Sequence, residues 1–443
     1  MMVLRPDGYF LWEQVCRATD EMFKENGIDN TAFPLFIPER LLQKEAKHIE
    51  HFKAEVAWVT HGGESELEER LAVRPTSETI MYESVAKWVR SWRDLPMKLN
   101  QWNNVVRWEF KHPTPFLRTR EFYWNEGHSI YATEEETIKE REIILGIYSK
   151  ILRELLALPY ILGRKTEQEK FAGGVATYSL EMIMPDGKAV QGPDWHFDGQ
   201  NFAKVFDIMF LNKDGSKAYA WQSTYAITTR VIGIMIAVHG DDRGLVIPPM
   251  MSRIQVVIVP IYRNENKGEV LEAAGKIMDS LAKRVRVRLD DRDEYSPGWK
   301  FNEWELKGVP LRLELGAREI AAGKVIAVRR DTGEKAELAM GGVEKQVQRL
   351  LKRMQKEMYK RAAKALKAMT SSAYTYAAVK KLLEDKKGFV LAPWCGSDEC
   401  ENKVGEETGA KITNIPLDQS KLKGNCIYCG KPAKHMANFA RSY

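Results

Sequence analysis

Apolar positions recur at helical spacing from Tyr9 to Glu25 and stop at Gly27, which predicts an opening amphipathic helix ended by a glycine cap. The segment FPLFIP that follows reads as a strand. Between Met97 and His128 the pattern is strand, polar loop, strand: VVRWEF, KHPTP, then LRTREFYW. A helix rich in opposite charges four residues apart is predicted from Glu134 to Leu156. Thr177–Met184 and Val205–Leu211 read as strands, with the Gly, Pro and Asp cluster of QGPDWHFDGQ as a turn between strands. A helix is expected to begin near Thr228, and GLVIPP closes this block. Strands in runs joined by loops predict a mainly antiparallel sheet flanked by helices over residues 1–250.

Past Pro248-Pro249, the expected linker, the pattern changes. IQVVIVPIY, VRVRLDD, VPLRLELG and VIAVRR alternate with helical stretches, which predicts a small α/β domain with a mixed sheet over residues 251–343. Residues 344–443 form a third unit, a basic helix followed by four cysteines in two close pairs. The fold class expected is therefore α+β and multidomain.

Composition narrows the class. The chain has 443 residues, 44% hydrophobic and 29% charged, as in an ordinary globular protein large enough for several cores. No apolar run reaches the length of a membrane span, and MMVLRPDGYF lacks the basic segment and apolar core of a signal peptide. These features place the chain in the cytoplasm. The net charge of +6 is mild, but nine Lys/Arg stand against the single acid Glu357 between Lys345 and Lys367. Val347, Leu350, Leu351, Met354, Met358 and Leu366 recur there at helical spacing, so a solvated helix face packed on the body and a contact to a nucleic-acid backbone both remain open.

Three short segments carry candidate chemistry. Arg107 and Glu109 alternate with apolar residues, and Arg118, Arg120 and Glu121 follow a loop with two prolines. Arginines beside carboxylates on one sheet face suit a phosphate chain, although structural ion pairs would use the same residues. In AVRPTSETIM a helix is expected near Ser77; Thr76 and Glu78 could grip a protonated amine or simply cap that helix. Trp195 and His196 sit in the third segment, where a structural histidine is the bland alternative. Cys395 and Cys400 have four residues between them and Cys426 and Cys429 have two, which suits four thiolates on a structural metal; four free thiols are the alternative.

In order, these segments resemble prolyl-tRNA synthetases of the archaeal and eukaryotic-cytoplasmic type over essentially the whole chain. GYFLWE…FPLFIPE looks like motif 1 of the class II synthetases, and RPTSE is similar to the amino-acid-binding signature. VVRWEFKHPTPFLRTREFYWNEGH looks like motif 2, and YAITTRVIG resembles motif 3 with HGDDRGLVIPP behind it. DDRDEYSPGWKFNEWELKGVPLRLELGAREI is similar to the anticodon-binding domain, and CGSDEC…CIYCGKPAKHMANFARSY to the zinc-bearing C-terminal unit.

The resemblance implies a class II antiparallel-sheet catalytic domain and an enzyme that activates L-proline with ATP and transfers it to tRNA(Pro). It implies catalytic roles for Arg107 and Arg230, with Arg107 bridging the amino-acid carboxylate and the α-phosphate. Glu109, Arg118, Thr119, Gln191 and Thr228 would line the ATP pocket, where Mg²⁺ neutralises phosphate charge. Phe122 would stack on adenine opposite Arg230. Thr76, Glu78, Trp124, Glu126, Phe171 and His196 would surround the amino acid. Lys300, Glu305, Lys307 and Arg318 would read the anticodon, a structural Zn²⁺ would sit on Cys395, Cys400, Cys426 and Cys429, and the molecule would be a homodimer. The final Tyr443 matches relatives whose terminal carboxylate tucks toward the active site.

The sequence also departs from the family's pattern. Val175-Ala176 stand where relatives usually have Asp-Tyr, Asp194-Trp195 where they have Thr-Ser, and Thr224-Tyr225-Ala226 where they have Ser-Trp-Gly. Compensated drift, with Trp195 supplying the indole that position 225 lacks, is one reading. A pocket reshaped for another amino acid, or a non-charging regulatory or binding protein on the same fold, is the alternative. The chain opens almost at motif 1, where relatives carry a longer stretch. The interval from Glu126 to Tyr225 has no room for the large editing domain of the bacterial type.

Overall fold

The computed structural model describes residues 2–46, 55–109, 112–385 and 388–443. Phe110 and Lys111, in the predicted VVRWEF strand and KHPTP loop, lie outside the described residues.

The opening helix, α1 (Pro6–Glu25), starts on a proline that needs no intrahelical donor and buries Leu11, Trp12, Val15, Thr19 and Phe23 along one face. Gly27 ends it at φ +69°, a left-handed conformation that glycine adopts without strain. A three-stranded sheet of Phe36–Pro38, Ser65–Val73 and Trp58–Gly62 packs on helix Glu39–Ala46, which in turn meets α2 (Glu78–Trp88).

The catalytic-type sheet is built from β1 (Met97–Val106), β2 (Glu121–Tyr131), then α3 (Glu134–Lys150), β3 (Ile161–Arg164), β4 (Ala176–Ile183), β5 (Ala189–Gly199) and β6 (Trp221–Thr228), followed by α4 (Arg230–His239). In space the strands run β1-β2-β6-β5-β4-β3, all antiparallel to their neighbours. The 126–225 interval is thus occupied by elements of this sheet and its flanking helices. One face packs on α1 and α3 in the largest core, with Phe23 against Tyr225 (ring centroids 5.7 Å apart). The other face carries the polar residues of the site.

Three local expectations are corrected. The VVRWEF strand ends at Val106, so Arg107 and Glu109 lie just beyond it, although Arg107 N–H still bonds Arg120 O at 2.7 Å. QGPDWHFDGQ is not a turn but most of β5, a central strand. Its Gly and Pro sit at a register shift against β4, where Gly192 passes so close that an added Cβ would lie 2.8 Å from Leu180 O. Val205–Leu211 is not one strand: helix Asn201–Phe206 ends at Asp207 (φ +59°) before strand Met209–Leu211.

The second unit is the expected mixed sheet. It comprises β7 (Val256–Ile261), α5 (Lys267–Ala282), β8 (Val287–Leu289), α6 (Pro297–Leu306), β9 (Leu311–Gly316), β10 (Lys324–Arg329) and β11 (Lys335–Ala339). The order is β8-β7-β9-β10-β11, parallel around β7 and antiparallel beyond β9.

The basic helix is α7 (Val343–Ala368). It buries Val347, Leu350, Leu351, Met354 and Met358, and its Arg353 and Arg361 pair with Glu334 and Asp331. Those contacts favour a face packed on the body. Beyond it come β12 (Phe389–Trp394), α8 (Asp398–Thr408), β13 (Lys411–Pro416) and β14 (His435–Ala440). β13 pairs antiparallel with β3, through Ile415 opposite Arg164, so the C-terminal unit prolongs the first unit's sheet to eleven strands.

Candidate active site

Alternation along the central strands decides what faces the cavity. Thr224, Ala226 and Thr228 of β6 stand opposite His128, Glu126 and Trp124 of β2, and Thr224 and Ala226 also face His196 and Asp194 of β5. These residues form one polar wall. The cavity in front of it has a volume of about 280 Å³. Thr76, Glu78, Arg107, Glu109, Arg118, Thr119, Phe122, Trp124, Glu126, Phe171, Gln191, His196, Thr228 and Arg230 all line it. The structure therefore brings these fourteen residues to one cavity, whereas Arg120, Glu121 and Trp195, also singled out in the sequence, do not line it.

At the inner end lies a buried acid pair. Glu126 accepts hydrogen bonds from Thr76 Oγ1 at 2.8 Å, Ser77 N–H at 2.5 Å and Asn103 Nδ2 at 3.2 Å. Thr76 Oγ1 also touches the Glu78 carboxyl. A hydroxyl has one proton, so with that proton on Glu126 the second contact requires a proton on Glu78. The electrostatics agree. Burial, then the Glu126 charge, push the Glu78 pKa up. Burial also acts to raise Glu126, but His128 outweighs it together with Ser77 and Thr76, holding Glu126 down at about 2. The result is one anionic and one neutral carboxyl facing a common hydroxyl.

At the side wall, Thr177 Oγ1 accepts from Phe171 N–H at 2.9 Å and meets His196 Nδ1 at 2.8 Å. With the hydroxyl proton directed to Nδ1, the ring proton sits on Nε2, 3.5 Å from Asp194 Oδ1. Phe171 lies against the same imidazole, ring centroids 4.7 Å apart. Gln191 Nε2 anchors the other Asp194 oxygen at 2.6 Å.

The outer end is cationic. Arg107 Nε donates to Pro75 O at 3.0 Å, and its guanidinium lies 5.4 Å from the centre of the Phe122 ring and 5.2 Å from that of Trp124. Trp124 in turn donates from Nε1 to Asn103 Oδ1 at 2.6 Å. Arg230, the first residue of α4, is oriented by Leu117 O at 3.0 Å. Arg118 Nη2 reaches Tyr443 O at 2.9 Å, so the last residue of the chain borders the cavity mouth. The turn Thr114–Arg118 closes through mutual backbone bonds of its end residues and seats Phe116 over Gly233 of α4; an added Cβ there would fall 2.6 Å from Phe116 Cβ. Among the described residues Arg107 and Arg230 are held by backbone carbonyls rather than carboxylates, which suits pairing with an anion.

The departures divide by face. Asp194 and Ala226 face the cavity, whereas Trp195 and Tyr225 stand directly opposite each other and pack toward α1 and α3. Trp195 stacks on Phe197, and its Nε1 lies 3.4 Å from Glu140 Oε2. An indole at 195 with a phenol at 225 is therefore an exchange of volume within the core layer. Val175 is exposed, Ala176 is buried, and neither lines the cavity.

Sequence reasoning missed His128, Asn103, Thr177 and Asp198. His128 follows Trp124 and Glu126 at period two, a signal available in the sequence; Asn103 and Thr177 needed the strand register. Asp198 is fully buried behind the wall, and burial followed by Glu78 pushes its pKa well up.

In the second unit, Lys300 is buried with Nζ on Asp290 O at 3.0 Å, Glu305 pairs with Arg243 at 2.8 Å, Lys307 with Glu303 at 2.7 Å, and Arg318 is exposed. In the third, Cys395, Cys400, Cys426 and Cys429 bring their Sγ atoms within 4.8 Å of one another. Cys395 lies 3.6 Å from Cys400 and 3.7 Å from Cys429, close to the ~3.8 Å edge of a tetrahedron with ~2.3 Å metal–sulfur bonds. The longer spacer of the first pair is taken up by the turn that leads into α8, which carries Cys400.

Comparison with known proteins places these features. A class II core profile (tRNA synthetase class II core domain, G, H, P, S and T) matches residues 53–239, an anticodon-binding-domain profile matches 255–350, and a prolyl-tRNA synthetase C-terminal profile matches 376–443. A proline–tRNA ligase of Alkaliphilus oremlandii is 48% identical over 442 residues, covering 100% of this chain and 92% of the relative. Proline–tRNA ligase 2 of Clostridioides difficile is 48% identical over 443 residues with the same coverage. A crystal structure of prolyl-tRNA synthetase from Cryptosporidium parvum, complexed with halofuginone and AMPPNP, superposes with a TM-score of 0.94 at 43% identity, covering 100% of this chain and 93% of that one.

Proposed function

The chain belongs to the class II prolyl-tRNA synthetases, a family of proline–tRNA ligases, and from that premise we propose how its own residues divide the work. The carrying observation is the cavity with an acid pair at one end and two carbonyl-held arginines at the other.

The ammonium of L-proline docks at the acid pair, on Thr76 and the Glu126 carboxylate, with the protonated Glu78 behind them. Trp124, Phe171 and His196 enclose the ring. Arg107 then spans the proline carboxylate and the ATP α-phosphate, a position its aromatic stacking leaves open to two oxygens. The carboxylate oxygen attacks the α-phosphorus, the bond to the β-phosphate oxygen breaks, and pyrophosphate leaves with its electron pair. Arg107 and Arg230 act by positioning and by stabilising charge on the phosphoryl oxygens. Phe122 and Arg230 hold adenine, while Glu109, Arg118, Thr119, Gln191 and Thr228 border the rest of the nucleotide. Glu109 is exposed at this end, and its carboxylate would help to hold Mg²⁺, which would neutralise charge on the phosphates. In the second step the terminal ribose hydroxyl of tRNA(Pro) attacks the acyl carbon, AMP leaves, and the hydroxyl proton passes to solvent or to AMP. No side chain becomes acylated.

We assign residues 1–250 to activation, 251–343 to anticodon binding through the stretch containing Lys300, Glu305, Lys307 and Arg318, and 344–443 to the basic helix and a zinc-binding unit. Cys395, Cys400, Cys426 and Cys429 would hold a structural Zn²⁺, which would tie the end of β12, α8 and the Cys426–Cys429 turn together. The homodimer is supported by Leu35, Phe36 and Trp58, apolar and exposed at or beside the small N-terminal sheet. No helix among the described residues is long and apolar enough to cross a membrane. Work on tRNA supports a cytoplasmic location.

Amino-acid-dependent ATP–pyrophosphate exchange, run with each of the twenty amino acids, tests the reading. Proline-dependent exchange well above the rest is expected; exchange led by another amino acid would assign Asp194 and Ala226 to a changed specificity.

A further inference from the structure

The segment HGDDRG lies behind α4 and contacts no part of the cavity. Its Asp241 carboxylate receives a two-pronged hydrogen bond from Arg330 of the second unit, Nη2 at 2.6 Å and Nη1 at 2.8 Å. The remaining edge of the same guanidinium, Nε, donates to Glu305 O at 2.8 Å. Glu305 and Leu306 end α6, and Arg243 pairs with the Glu305 carboxylate at 2.8 Å. Backbone bonds reinforce these pairs: Leu245 N–H to Leu306 O at 3.1 Å and Ile247 N–H to Gly308 O at 3.4 Å.

Two glycines let the strands of chain approach this closely. A Cβ on Gly244 (φ +127°) would lie 2.7 Å from Leu306 O, and one on Gly308 (φ +71°) would lie 2.6 Å from Leu245 O. Both have backbone conformations that disfavour a side chain as well. The two backbones meet directly here, so a shift of the α6 terminus bears on Gly244 and Leu245. Asp241 is tied to the same terminus through Arg330, whose Nε holds Glu305 O while its other edge holds the Asp241 carboxylate. Asp241 stands two residues past α4, a ten-residue helix whose first residue is Arg230.

We propose that Asp241 and Arg330 are positioning residues for tRNA charging, forming the joint by which the seating of tRNA on α6 sets the placement of Arg230. This rests on the reading of the chain as a tRNA ligase with α6 in its anticodon unit. A salt bridge that only stabilised the domain contact would affect both half-reactions alike. Arg230 meets the same phosphate twice, first in activation and again in transfer, when AMP departs with its electron pair; a joint engaged only when tRNA occupies α6 acts on the second meeting, because adenylate formation proceeds with α6 empty.

The test uses the full chain with Asp241→Asn, which keeps shape but removes charge, and Arg330→Lys, which keeps charge but loses the fork. Proline-dependent ATP–pyrophosphate exchange without tRNA is expected to stay within about two-fold of the parent for both. Dissociation constants for tRNA(Pro) are expected to hold to the same margin. The single-turnover rate of prolyl transfer from preformed adenylate to saturating tRNA is expected to fall about ten-fold, the scale of a typical coupling between sites. Exchange lost in parallel with transfer in both variants would reduce the pair to a structural contact, as would weakened tRNA binding with an unchanged transfer rate. Unchanged transfer in both would also overturn the proposal. Failure of the parent protein to exchange with proline at all would instead count against the ligase reading.

Discussion

Thr76 can give its hydroxyl proton to only one of the two carboxyls it touches, and that restriction sets the charge of the inner site. Glu126, with three donors, is the anion. Glu126→Gln is therefore expected to lower kcat/KM for proline about 10–100-fold, the range of a lost charge-assisted hydrogen bond, with the thermal midpoint little changed. Exchange kinetics at varied proline measure it. Glu78 behaves oppositely. Its folded pKa is raised, so the native state holds a proton that the unfolded chain releases, and this contribution fades as pH rises above the usual carboxylate value of about 4.3. Glutamine mimics the protonated form at every pH. The midpoint advantage of Glu78→Gln over the parent should accordingly be larger at pH 8 than at pH 5. A constant offset in scanning calorimetry would show that Glu78 is not protonated in the folded state.

At the scale of elements, β5 owes its place to a glycine. Gly192 sits where the strand shifts register, and a Cβ would fall 2.4 Å from Met182 Cε as well as 2.8 Å from Leu180 O. Gly192→Ala is expected to destabilise the protein by about 1–3 kcal/mol, the usual cost of overpacking. It should also reduce exchange, because Gln191 and Asp194 flank the shift and face the cavity. Denaturant unfolding paired with exchange assays checks both parts. The alternation of β5 and β6 likewise explains how Trp195 and Tyr225 coexist with a working wall: they fill the core side of strands whose other side is polar.

For the whole molecule, the eleven-stranded sheet makes the C-terminal unit a continuation of the catalytic one and delivers Tyr443 to Arg118. Disorder at the cysteine cluster should therefore be felt at the nucleotide end. Cys426→Ser is expected to abolish bound zinc measured by elemental analysis and to lower the thermal midpoint by at least ~5 °C. A rise in KM for ATP should accompany it, since β12–β14 carry the residues leading to Tyr443. Normal zinc content would remove Cys426 from the ligand set.

Periodicity and glycine caps were enough to determine the opening helix and the antiparallel and mixed sheets, spacing singled out the four cysteines, and the resemblance to the family, carried by short ordered motifs, named the fourteen residues of the first unit that line the cavity. Those features are local: a helix stripe, a cap or a motif is written in neighbouring residues. The strand character of QGPDWHFDGQ was hidden because its polar residues face a cavity rather than water, and only pairing to β4 and β6 reveals that. His128, Asn103 and Thr177, the shared volume of Trp195 and Tyr225, and the Asp241–Arg330 joint were decided by tertiary structure. Each depends on which residues meet across strands or domains, and sequence distance says nothing about such meetings.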